Sequence, residues 1–236
     1  MSDGQFTIDG GRMGTWVRGG DEHWGIVGRA WTIFALNTSD LVNLLNAAAS
    51  DPVLSLQLMQ DGIEGSTEYW DELDRRLHNQ VASVGSLIDH TRNLMRYFDD
   101  VPFFVDQFNE RNQRVREMSE ASFLRDLRNY LIHYGAVPRV QTLNLVPPPE
   151  STGYSFKLSA PKLLEWEKWS APTRAYLSGF GESDGPVLRA DVVAYANAMQ
   201  ELFRWLFEQR VAVFKDPRVL VRFRMDPQDE VVTPPS

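Results

Sequence analysis

The chain has 236 residues, of which 43% are apolar, 11% aromatic and 24% charged, which places it in the globular range and excludes disordered, collagen-like and membrane-embedded classes. It contains no cysteine, so disulfides, thiolate zinc sites, iron–sulfur clusters and cysteine nucleophiles are ruled out. The formal net charge of −8 argues against a protein that coats nucleic acid non-specifically, because such affinity comes from neutralising many phosphates.

Arginine supplies 20 of the 24 positive charges, a bias toward side chains whose fork matches carboxylate or phosphate. No apolar run is long enough to span a bilayer, and the first residues lack the basic start and apolar stretch of a secretory signal. A cytoplasmic protein without a membrane partner is therefore expected.

Eight of the 16 glycines fall within residues 1–28, interleaved with Trp16 and Trp24. The expectation is a Gly/Trp-rich arm over 1–39 whose aromatic residues dock on a body elsewhere. A single helical domain is expected over 40–225. Asp40 is a candidate N-cap for a first helix that Pro52 interrupts, and Gly62 and Gly65 mark a turn. Residues 66–98 carry Trp70, Leu73, Leu77, Val81, Val84, Ile88, Met95 and Phe98 at helical spacing.

Pro102 opens a further helix, and Ser119 and Ser122 are candidate N-caps of another, which Gly135 and Pro138 terminate. Between 139 and 160, alternating Val140, Leu143, Leu145 and then Tyr154, Phe156, Leu158 flank Pro147–Pro149, the pattern of a small β-hairpin insertion. Pro161 and Pro172 begin short helical pieces, and a last long helix runs from about Arg189 to Phe214. Residues 226–236 read as a flexible tail. The fold class is mainly α: a helical bundle of four to five helices with a hairpin around 139–160.

Chemistry concentrates in residues 119–134. At ~100° per residue, Phe123, Leu124, Leu127, Tyr130, Leu131 and Tyr134 share one face, which reads as core. The opposite face holds Arg125, Arg128, Asn129, Ile132 and His133, with Arg128 and His133 at its margins, ~140° apart and ~7.5 Å apart along the axis. Arg18 and His23 have the same separation, but the Gly19-Gly20-Asp21-Glu22 between them lacks a helical pattern.

The run Arg128-Asn129-Tyr130-Leu131-Ile132-His133 resembles the motif of the HEPN superfamily: an arginine, a polar residue that is often asparagine, and a histidine a few residues on. Members are helical-bundle proteins and often metal-independent endoribonucleases, in many cases belonging to bacterial toxin–antitoxin or antiviral-defence systems. The resemblance implies that Arg128 and His133 are catalytic and that Asn129 supports them. It further implies a homodimer through the 119–134 helix, an RNA substrate and a regulatory protein partner.

The residue types suit that chemistry. Cleaving RNA without a metal requires a base for the 2′-hydroxyl, an acid for the departing 5′-oxygen and positive charge beside the phosphorane. Histidine supplies the proton transfers and arginine the charge. Arg111, Arg114, Arg116 and Arg125 add local positive charge for RNA, and His78 and Arg92 are further candidates from the preceding long helix. The simpler reading of that helix is a solvated polar face laced with Glu72 and Asp74 ion pairs.

The four histidines have no metal-ligand spacing, and no nucleophile elbow, phosphate loop or dinucleotide motif occurs, so neither metal nor cofactor is expected. Asp99-Asp100 and Glu165/Glu167 read as surface charge. The alternative function is a catalytically silent dimeric module that binds a protein or nucleotide ligand; there Arg125 and Arg128 pair with Asp126, Glu120 or a neighbouring helix, and His133 caps carbonyls at a helix end.

Overall fold

The computed structural model describes residues 22–65, 67–144, 153–182 and 184–215. Helix α1 (Glu22–Ser50) is followed by α2 (Pro52–Gly65), α3 (Thr67–Tyr97), α4 (Pro102–Arg116) and α5 (Ser119–His133). Strands β1 (Arg139–Asn144) and β2 (Gly153–Leu158) come next, then α6 (Ala160–Leu164), α7 (Ala171–Ser178) and α8 (Leu188–Phe214). Five helices, α1, α3, α4, α5 and α8, pack on one another as a bundle, while α2 lies against the hairpin. The mainly α class with a small β-hairpin is thus observed.

The first correction concerns the N-terminal arm. Residues 22–39 are not irregular: they form the first 18 residues of a 29-residue helix, and Asp40 lies exposed in its interior rather than capping a start. Two interior glycines, Gly25 and Gly28, each cost about 1 kcal/mol relative to alanine. Burial of Trp24, Val27, Trp31 and Phe34, each at most 1% exposed, outweighs that at roughly 1.5–3 kcal/mol per large apolar side chain. Trp31 stacks on Phe203 of α8 with centroids 4.9 Å apart, and Trp24 packs against Phe98 and Phe104, as core residues of a bundle helix rather than of a docking arm. Residues 1–21 and the 226–236 tail lie outside the described residues.

Asp51 and Pro52 explain the break between α1 and α2. The Asp51 carboxylate accepts the backbone N–H groups of Val53 (2.9 Å) and Leu54 (3.2 Å), and Pro52 occupies the first turn, where its missing N–H has no intrahelical role. Helix α2 then runs through Gly62 to Gly65, so the turn expected at Gly62 is not observed there.

The hairpin pairs antiparallel in the register Arg139↔Leu158, Gln141↔Phe156 and Leu143↔Tyr154. Arg139 anchors it to α3 by an ion pair with Asp74, with its guanidinium 5.1 Å from the Trp70 ring centre. On the other side, Leu158 N–H donates to the Pro186 carbonyl at 2.9 Å. A Cβ at Gly185 would fall 1.8 Å from the Leu158 carbonyl oxygen, so only glycine permits this approach.

Candidate functional site

Helix α5 is held on two sides. Phe123, Leu124, Leu127 and Tyr130 are buried, and Tyr130 stacks on Trp169 with centroids 5.3 Å apart. Burial pushes the Tyr130 hydroxyl up to about 12, helped by the charges of Tyr134 and Glu165. Asp126, only 8% exposed, accepts the Ser170 N–H (3.0 Å), the Ser170 hydroxyl and the Thr173 hydroxyl (2.7 Å). Ser170 is the N-cap residue of α7, so this carboxylate both satisfies orphan donors of α7 and locks α5 against it.

Met118, rather than Ser119 or Ser122, occupies the N-cap position of α5, and no side chain caps it. At the other end, the N–H groups of Tyr134 and Gly135 both donate to the Tyr130 carbonyl, and Gly135 adopts φ +154°, a region that favours glycine. This stops the helix directly after His133. Tyr134, expected on the core face, is 53% exposed, because the helix ends before it and its wheel position no longer applies.

Arg125, Arg128, Asn129, Ile132 and His133 are all exposed. Arg128 lies across Gly85 of α3, where a Cβ would meet its Nε at 3.4 Å and its Cδ at 3.5 Å. Among the described residues, no hydrogen bond or ion pair engages the side chains of Arg128, Asn129 or His133. The pairing of Arg128 with Asp126 or Glu120 is not observed, since Asp126 is engaged by α7. Arg125 Nε reaches Asp126 Oδ1 only at 3.5 Å.

Three predicted arginines converge elsewhere. Arg92 of α3, Arg116 of α4 and Arg125 of α5 line one cavity of about 300 Å3. Arg128 against Gly85, and Arg125 in the same cavity as Ile88 and Arg92, show that α5 runs antiparallel to α3. The motif face therefore continues from the mouth of this cavity, one helical turn along.

Arg111 and Arg114 do not join them. They line a smaller groove of about 170 Å3 with Glu201; Arg111 sits 4.9 Å from the Trp205 ring centre and Arg114 pairs with Glu110. His78 is exposed on α3 and outside the cavity, 14 residues before Arg92, or ~21 Å along the helix at 1.5 Å per residue. The ion-pair reading of that stretch fits its neighbours, because Arg75 and Arg76 both bond to Glu72 at 2.6 Å. Those bonds hold the Glu72 carboxyl down at about 2.

Asn109, Asn112 and Tyr195 also line the arginine cavity and were missed as site residues. Asn109, Asn112 and Arg116 are spaced i, i+3, i+7 on α4, a one-face pattern readable in sequence. Tyr195 has no such signal, being a core-stripe residue of α8. Burial pushes its hydroxyl well above the ordinary tyrosine range, while the charge of Arg125 acts in the opposite direction.

Among the described residues, no group of three or more His, Asp or Glu gathers in a geometry that could hold a metal, and no helix is long and apolar enough to cross a membrane. Comparison with protein families, curated proteins and solved structures finds no match to this chain.

Proposed function

We propose that this protein is a metal-independent endoribonuclease whose active site forms where two copies of α5 meet. The observation that supports it is that Arg128, Asn129 and His133 remain exposed and unengaged on a helix whose buried carboxylate, Asp126, is committed to the fold. Exposed Ile132 (48%) and Tyr134 (53%) lie beside them, apolar surface that a second copy would cover.

A two-fold axis passing between two antiparallel copies of α5, at the level midway between residues 128 and 133, sets Arg128 at the same height as His133 of the partner subunit, since in an isologous contact residue i meets j and j meets i. His133 accepts the proton of the ribose 2′-hydroxyl as the 2′-oxygen attacks phosphorus, and returns a proton to the 5′-oxygen as the P–O5′ bond breaks. Arg128 of the facing copy neutralises the phosphorane oxygens, and Asn129 orients the phosphate. The products are a 2′,3′-cyclic phosphate and a 5′-hydroxyl end. Toxin or antiviral-defence use, with a regulatory protein partner, is the biological setting this reading implies.

The test is incubation of wild type, Arg128→Ala, His133→Ala and Ile132→Asp with mixed RNA in EDTA, with sedimentation of each protein. Cleavage by wild type to cyclic-phosphate ends, at least 100-fold slower in the first two variants, and a monomeric, inactive Ile132→Asp variant are expected. Equal cleavage by all four overturns the site; a dimer that cleaves nothing leaves the binding module as the better account.

A further inference from the structure

One cavity in the bundle combines apolar depth with concentrated positive charge. It lies between α3, α4, α5 and α8, and its depth is formed by Met95, Phe108, Met199 and Phe203, all buried. Its mouth carries Arg92, Arg116 and Arg125, exposed and drawn from three different helices. No acidic side chain is among the described residues that line it. In a chain of net charge −8, three arginines facing one opening without a lining carboxylate form a local site of the opposite sign.

These arginines are available. Arg116 takes part in no ion pair among the described residues. Arg92 pairs at 2.9 Å with Asp89, but both side chains are more than half exposed, and such pairs contribute little. Arg125 meets Asp126 only at 3.5 Å. Deeper in, Tyr195 is 3% exposed and held edge-on by Phe34, yet its hydroxyl bonds to no described residue. Tyr195 thus adds a hydroxyl to the apolar depth of the cavity. Asn109 and Asn112 add amides at the α4 wall.

We propose that this cavity binds an amphiphilic organic anion, with a phosphate or carboxylate held by Arg92, Arg116 and Arg125 and an apolar body filling the depth beside Tyr195. A bare inorganic anion would leave the apolar wall in water, and a neutral apolar molecule would leave the arginine forks unused, so only a ligand with both parts matches both surfaces. The volume lies at the lower end of small-molecule pockets, enough for a nucleoside monophosphate or a medium alkyl phosphate. Because Arg128, Asn129 and His133 are not part of the cavity, this inference goes beyond the endoribonuclease reading and stands without it.

The experiment is calorimetric titration of the full chain with adenosine 5′-monophosphate, octyl phosphate, inorganic phosphate and octan-1-ol. One of the two organic phosphates is expected to bind one per chain, at least about tenfold more tightly than inorganic phosphate or octanol, and the winner identifies the body as heteroaromatic or alkyl. Arg116→Ala and Arg125→Ala are each expected to weaken binding about tenfold, the scale of a lost charged hydrogen bond. Both side chains are exposed, so the fold persists, as circular dichroism checks. His133→Ala is expected to bind as wild type does. Organic phosphates no tighter than inorganic phosphate, or arginine variants with unchanged affinity, or loss of binding in His133→Ala, would each overturn the proposal.

Discussion

Arg128 of α5 lies across Gly85 of α3, with its Nε and Cδ 3.4 and 3.5 Å from where a glycine Cβ would stand. The glycine is in the interior of a 31-residue helix, and the arginine stem lies against α3 at this point. A motif residue without a hydrogen-bonding partner is thereby still oriented by packing.

This relationship separates stability from activity. Gly85→Ala is expected to raise stability by about 0.5–1 kcal/mol through helix propensity, because the added methyl only touches a flexible side chain. Gly85→Leu occupies the space of the Arg128 stem, so RNA cleavage is expected to fall at least tenfold while the protein stays folded. Denaturant midpoints and cleavage rates on the same preparations check both; undiminished cleavage by the leucine variant would show that the Arg128 position is not set by α3.

Asp126 links α5 to α7 through Ser170 and Thr173. Asp126→Ala is expected to cost about 2 kcal/mol, combining loss of an N-terminal cap with buried hydroxyls left unpaired. Urea unfolding at constant slope is the measurement. A change below roughly 0.5 kcal/mol, the scale of ordinary surface substitutions, would mean that the α5–α7 contact is held by Phe123 packing on Tyr176 instead.

Asp191, in the first turn of α8, accepts the Tyr176 hydroxyl at 2.9 Å, and its second oxygen is buried without a partner. Burial, reinforced by the charge of Glu120 and opposed by the tyrosine hydrogen bond, pushes its carboxyl up to about 7. The folded state therefore binds this proton more tightly than the unfolded chain does. Its contribution to stability is complete below the ordinary carboxyl range and is lost as pH rises, by up to about 1.4 kcal/mol per unit, until the folded-state value near 7 is passed. Asp191→Asn cannot titrate, so its stability relative to wild type is expected to increase from pH 4 to 7 and then level off. Parallel unfolding curves at pH 4, 5.5, 7 and 8 test this; a constant difference across that range would contradict it.

Much of the architecture was legible in the residue pattern. Pro52, Pro102, Pro161 and Pro172 each sit at a helix start, the apolar spacing of residues 67–97 and 188–214 marks two of the three long helices, and alternation around Pro147–Pro149 marks the hairpin. These signals are local: proline fixes a dihedral, and periodicity records which side of one element meets the core. The same locality explains the failure at residues 22–39, where glycine content reads as irregular although burial of Trp31 against α8 and of Trp24 against the α3–α4 turn decides for helix.

The candidate site divides along the same line. Arg128, Asn129 and His133 lie on one short helix, so their spacing alone places them together on its exposed face. The arginine cavity is assembled from α3, α4, α5 and α8, and no spacing within one element could show that Arg92, Arg116 and Arg125 converge while Arg111, Arg114 and His78 do not. Residue order determined the helices and the chemistry each one carries; only tertiary packing decided which of those faces share a space, because that depends on side-chain volumes meeting between elements remote in sequence.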